Sequence, residues 1–129
     1  MLARHEFERF YQLRGSFTTR GVLMDIVVCL VTCPSKEVGQ ALAKQVVAAQ
    51  LAACVNILPG VQSVYHWEDS LCIDEEVLLI IKSTTARVEL LEKTILEHHP
   101  YDTPEFVVLP ASFVSERYAA WVGKSVETP

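Results

Sequence analysis

Two adjacent histidines, His98 and His99, stand directly before Pro100, and four cysteines, Cys29, Cys33, Cys54 and Cys72, lie upstream of them. Imidazole nitrogens and thiolates are the side-chain ligands preferred by copper and zinc, so the first chemistry to consider is transition-metal binding. The cysteine spacing, C-x3-C followed by gaps of 20 and 17 residues, matches no zinc pattern. Four reduced thiols packed as small apolar groups are the structural alternative. For the histidines the structural alternative is a helix end, where imidazolium near the last carbonyls suits the dipole. Neighbours on a helix point about 100° apart. His98 and His99 can therefore share one ion only where the helix has unwound before Pro100 or where subunits contribute jointly.

A second group is polar and aromatic. Glu76, Lys82 and Glu105 are charged residues in or beside strand-like segments. Buried charges survive only when paired, so a Glu–Lys pair at a subunit seam is one reading. A polar pocket between subunits that recognises a small anion or a metal is the other. Tyr65, Trp67 and Tyr101 read as interface aromatics or as stacking surfaces. Asp74, Glu75 and Glu76 form a short acidic run, either a solvated face or a weak site for hard divalent ions. No catalytic constellation is present, and the glycines form no phosphate loop.

These residues must be positioned by regular elements. Ile26 to Thr32 is a valine-rich run that reads as a strand buried on both faces. Ser35 is a candidate N-cap for a helix over Lys36 to Ala53, where Val38, Leu42, Val46 and Ala49 recur at helical spacing. Residues 54–83 read as one long hairpin, interrupted at Pro59-Gly60 and turning at Glu68-Asp69-Ser70. Thr84 or Thr85 would cap a second helix that ends at His98-His99, since Pro100 disfavours helix at the residue before it. Phe106 to Leu109 is a short strand, and Phe113 to Val122 a last amphipathic helix before a polar tail from Gly123. The order β-α-β-β-α-β plus a terminal helix defines an α+β class, the ferredoxin-like double split βαβ. Two helices cover one face of its antiparallel sheet. The other face is apolar with no helices left to cover it, so a homo-oligomer is expected.

Composition sets the outer bounds. The 129 residues are one domain's length, with 50% hydrophobic and 21% charged residues. The net charge of −5 argues against a dedicated nucleic-acid binder, which needs a basic face. No apolar run reaches the roughly 18 residues of a membrane helix. Residues 1–23 differ in texture: four arginines against two glutamates, no lysine, no clear period, and a second methionine at Met24. They read as a leader or upstream start outside the fold, or as an organellar transit peptide, although Glu6 and Glu8 are unusual for one. Residues 24–129 form the domain, with a cytoplasmic location expected unless residues 1–23 direct it to an organelle.

Three stretches then become specific: Leu51 to Trp67 (LAACVNILPGVQSVYHW), Glu76 to Ser83 (EVLLIIKS) and His98 to Glu105 (HHPYDTPE). Together with Thr32-x-Pro34 and Tyr118-x-x-Trp121, they closely resemble the divalent-cation tolerance (CutA) family, in its order and spacings, over nearly all of residues 24–125. The resemblance implies a homotrimer locked by long hairpins, with unusual thermal stability and a role in tolerance of copper and other divalent cations. No cofactor is required, copper or zinc being the bound ion. In animals, similar proteins are linked to membrane anchoring of acetylcholinesterase. No enzymatic activity is settled for the family. A copper site proposed for similar proteins would use His98 and His99 with a first-strand cysteine. That cysteine position is Val31 here, and Cys33 offers a thiol on the same strand face, about 7 Å further on. The hairpin tip also departs: Trp67-Glu-Asp69-Ser70 replaces the usual Trp-x-Gly-Lys, so a basic tip has become acidic. The alternative role is a trimeric scaffold acting through partner proteins, similar in outline to the PII signalling proteins, without a physiological metal.

Overall fold

The computed structural model describes residues 25–127. The leader reading of residues 1–23 falls outside them. Strand β1 (Ile26–Cys33) leads into helix α1 (Lys36–Ala48), and strands β2 (Cys54–Trp67) and β3 (Ser70–Thr84) follow. A 3-10 turn (Thr85–Arg87), helix α2 (Val88–His98), strand β4 (Val107–Pro110) and helix α3 (Glu116–Ser125) complete the order. The sheet runs β2-β3-β1-β4, and every pairing is antiparallel. This is the ferredoxin-like arrangement expected from the element order.

Alternation along β1 divides the sheet into two sides. Val27, Cys29, Val31 and Cys33 are buried with Leu79, Ile81, Leu42, Val46, Leu91 and Ile95, which places the main core between the sheet and helices α1 and α2. Gly39 lets α1 approach closely. A Cβ there would lie 3.2 Å from Leu79 Cδ2 and 3.5 Å from Val77 Cγ1. The opposite side is less bare than the sequence suggests, because α3 packs on one end of it. Ile26, Ala53, Val122 and Val126 form a second, smaller core there. Farther along, Leu58, Val107 and Leu109 remain exposed.

Ser35 caps α1 as expected, its Oγ accepting from Val38 N at 3.2 Å. The helix ends at Ala48 rather than Ala53, although alanine favours its continuation. Gln50 turns left-handed (φ 58), and Leu51 N reaches back to Val46 O at 2.9 Å while Gln50 N reaches Val47 O at 3.0 Å. That is a Schellman stop without glycine. Tertiary bonds fix it: Ser83 Oγ donates to Leu51 O at 2.6 Å, Ala53 N donates to Lys82 O at 2.8 Å, and Arg87 donates to Gln50 O. Neither Thr84 nor Thr85 caps α2. Thr85 instead donates its hydroxyl to Asp25 O at 3.3 Å. Helix α3 starts three residues later than expected, at Glu116, and the residues read as a polar tail extend it to bury Val126. Strand β4 is displaced by one residue, to Val107–Pro110.

The β2–β3 hairpin outruns the sheet, since β1 pairing ends at Cys33 opposite Val77. A bulge sits at Pro59-Gly60: Leu58 faces Leu78, yet Val61 faces Glu76. One extra residue on β2 and a left-handed Gly60 (φ 76) fit a glycine-type bulge. Beyond it, Val61, Ser63, Tyr65 and Trp67 share a side with Glu76, Asp74 and Cys72, continuous with the open sheet face. Val64, Leu71 and Ile73 occupy the other side, at 62%, 72% and 64% exposure. The tip is a two-residue turn with Glu68 and Asp69 both left-handed, the geometry of a type I′ hairpin.

Candidate functional site

The polar residues gather at the foot of the hairpin. Tyr101, in the loop after α2, donates its hydroxyl to Glu76 Oε2 at 2.9 Å, and Glu76 is buried. Burial, and then this bond to Glu76, push the Tyr101 phenol well above its usual range. Glu105 lies close enough to feel Glu76. Its carboxyl is raised, first by desolvation and then by that neighbouring negative charge. Cys33 is buried at the end of β1, and its thiol is pushed up to about 11 by burial and by Glu76. Tyr65 donates to Asp74 across the hairpin, which raises its phenol to about 12. Glu76, Tyr101, Glu105 and Cys33 thus form one electrostatic group, with Tyr65 and Asp74 one step out along the same strand side.

Lys82 is elsewhere. It shares a strand with Glu76 but sits six residues away, about 20 Å at strand rise. Its ammonium donates to Asn56 Oδ1 on the open face. Lys82 does not reach Glu76 within one subunit, so a Glu–Lys pair between these two at a subunit seam would join two subunits. Trp67 stands at the hairpin tip, 59% exposed and opposite Ser70. The six residues of the expected pocket split into a cluster (Glu76, Tyr101, Glu105, with Tyr65 at its margin) and two outliers along the same surface.

The two histidines diverge. His98 is exposed on α2, where its Nδ1 lies 2.9 Å from Thr94 O and its Nε2 3.0 Å from Gln45 Nε2. It ties α2 to α1 and satisfies a carbonyl near the helix end. His99 is buried at the helix C-cap, with Nε2 at 2.7 Å from Thr32 O and Nδ1 accepting from Tyr101 N at 3.1 Å. Its ring lies 4.7 Å from that of Tyr101, tilted by 52°. Among the described residues no three histidine, cysteine or carboxylate side chains are grouped to hold a metal ion. All four cysteines are free. Cys29 is buried beneath the helices, with its thiol raised to about 12. Sequence reasoning did not single out Gln45 or the Thr32 carbonyl. A backbone acceptor has no side-chain signature, and Gln45 reads only as a helix former.

The split βαβ fold with an overlong hairpin and a polar cluster at its foot defines a class of small ferredoxin-like proteins. The family description "CutA1 divalent ion tolerance protein" matches residues 27–125. The chain belongs to that family. It is 42% identical over 95 residues to the divalent-cation tolerance protein CutA of Thermus thermophilus, covering 74% of this chain and 92% of that one. It is 43% identical over 99 residues to a chloroplastic CutA protein of Arabidopsis thaliana. That match covers 77% of this chain but only 54% of the plant protein, so the chain spans about half that relative's length. The crystal structure of CutA1 from Oryza sativa superposes with a TM-score of 0.78 at 39% identity, over 81% of this chain and 95% of that one. Among the described residues no helix is long and apolar enough to cross a membrane.

Proposed function

We propose that the chain works as a homotrimer in divalent-cation tolerance, with a polar pocket at the foot of each hairpin completed by a neighbouring subunit. One observation carries this reading. Buried Glu76, with Tyr101 and Glu105, sits on a strand side whose apolar surface continues through exposed Leu58, Tyr65 and Trp67. Apolar surface of that extent calls for a partner, and a self-complementary subunit is the economical one. Copper, zinc or another divalent ion would then take ligands from more than one subunit, carboxylates among them. Its place of work is the cytoplasm, or an organelle if residues 1–23 serve as a transit peptide.

Light scattering on the full chain, followed by anaerobic titration with Cu(I), Cu(II) and Zn(II), tests this reading. A trimer that binds an ion stoichiometrically, and loses it in Glu105→Gln, supports the proposal. A clean monomer overturns it. The second reading is a scaffold acting through partner proteins, favoured by exposed Trp67 and Leu71 beside the acidic Glu68-Asp69 turn. A trimer with only weak, nonstoichiometric metal binding, and a partner whose capture depends on Trp67, selects it.

A further inference from the structure

We infer that His99 is a positioning residue that pins the 99–105 loop to β1 and sets Tyr101 on Glu76, and that it is not a metal ligand in this chain. The pattern HHPY invites the opposite reading, since imidazole binds metal through the lone pair of a neutral ring nitrogen. The bonding partners decide which nitrogen holds the proton. Thr32 O can only accept, so Nε2 carries the hydrogen and donates at 2.7 Å. Tyr101 N–H can only donate, so Nδ1 spends its lone pair accepting at 3.1 Å. The residue is 7% exposed, and no ring lone pair is left for an ion.

The neighbourhood agrees. The strand position where the resemblance places a cysteine is Val31, fully buried among the core side chains. Cys33 is buried as well, on the core side of β1. His98 faces Gln45 and Thr94 on the helix surface. What His99 does instead follows from its contacts. It joins residues 67 positions apart, lets the chain leave α2 in an extended conformation (ψ 139), and packs its ring on Tyr101. The Tyr101 phenol is thereby aimed at the Glu76 carboxylate. The inference does not depend on the trimer or on a cation at the hairpin foot, and its failure would leave both standing.

The test reads the ring directly. Long-range nitrogen–proton correlation spectra of the metal-free full chain should show His99 as the Nε2–H tautomer. Its two nitrogen shifts should stay fixed when one equivalent of Zn(II), or of Cu(I) under anaerobic conditions, is added. Movement of either nitrogen at one equivalent overturns the inference. Two variants supply a readout free of metal. A glutamine side chain holds one donor and one acceptor, so His99→Gln should keep most of the hydrogen-exchange protection of the Tyr101 amide. His99→Ala should lose about tenfold, the loss expected when a part-buried amide gives up its partner. Equal protection in the two metal-free variants would contradict a positioning role. If His99→Ala fails to fold, the wild-type spectra still decide.

Discussion

Gly39 of α1 rides directly on Leu79 of β3: a Cβ at residue 39 would stand 3.2 Å from the Leu79 Cδ2 methyl. Both residues are buried, and this contact sets how closely the helix lies on the sheet. Gly39→Ala gains up to about 1 kcal/mol of helix propensity, which the tight contact offsets. The expected net change is within about 1 kcal/mol of zero. Gly39→Leu adds volume that this seam cannot take, and should destabilise by about 1–3 kcal/mol. Denaturant unfolding at one fixed protein concentration measures both, since association would shift the midpoint with concentration.

Gln50 closes α1 in the left-handed region at φ 58, a conformation that costs an ordinary L-residue about 1 kcal/mol or more. Gln50 is exposed, and the hydrogen bonds described above for it use backbone atoms. Gln50→Gly should therefore raise stability by roughly 0.5–1 kcal/mol, with Arg87 still donating to the residue 50 carbonyl. A fall in the unfolding midpoint would show that the side chain contributes more than the backbone strain costs.

Cys29 and Cys33 predict an alkaline limit. Burial raises their thiols to about 12 and about 11, from 9.0. The native state therefore holds those protons after the unfolded chain has released them. Stability is unaffected below about pH 9. It falls as pH rises through 9 toward 11–12, by up to about 1.4 kcal/mol per pH unit for each thiol. Cys29→Ala should lower stability at every pH by leaving a cavity, but flatten the slope above pH 9. An unchanged slope in unfolding curves at pH 8 to 10.5 would contradict this.

Tyr101→Phe removes the hydroxyl that Glu76 Oε2 accepts from at 2.9 Å. A hydrogen bond to a charged group contributes about 1.5–3 kcal/mol when buried, and the partial exposure of Tyr101 brings the expected loss nearer 1 kcal/mol. The variant should also be less sensitive to pH above about 10, because the raised Tyr101 phenol holds in the native state a proton that the unfolded chain releases. Thermal unfolding of Tyr101→Phe and Glu76→Gln, alone and combined, measures the coupling. Additive losses would mean that the two groups act independently.

The sheet was legible because its signals are dense. Eight consecutive β1 residues alternate between two apolar sides, and Pro59-Gly60 and Glu68-Asp69 punctuate the hairpin at the positions where it bulges and turns. Helix ends were less legible. Alanine and leucine between Ala48 and Ala53 favour helix, yet Ser83, Lys82 and Arg87 draw that backbone away through bonds from distant sequence. The site divides the same way. Tyr101 and Glu76 announce themselves by residue type and do meet, with Glu105 near enough to feel Glu76. The partner of His99 is a carbonyl 67 residues away, and a side-chain pattern cannot display it.

The bulge at Pro59-Gly60 sets how β2 is counted against β3. With one residue more than β3, β2 changes step, so Tyr65 and Trp67 come to lie on the side of Glu76. Deleting Gly60 would leave composition, hydropathy and turn almost unchanged. It would remove the bulge and let β2 run step for step with β3, with Tyr65 and Trp67 still opposite Cys72 and Ser70. The side on which the aromatics stand is held by their pairing with β3, and the bulge takes up the one residue that this pairing leaves over. The bulge is thus a slack joint, a place where the arm can lose a residue without turning over.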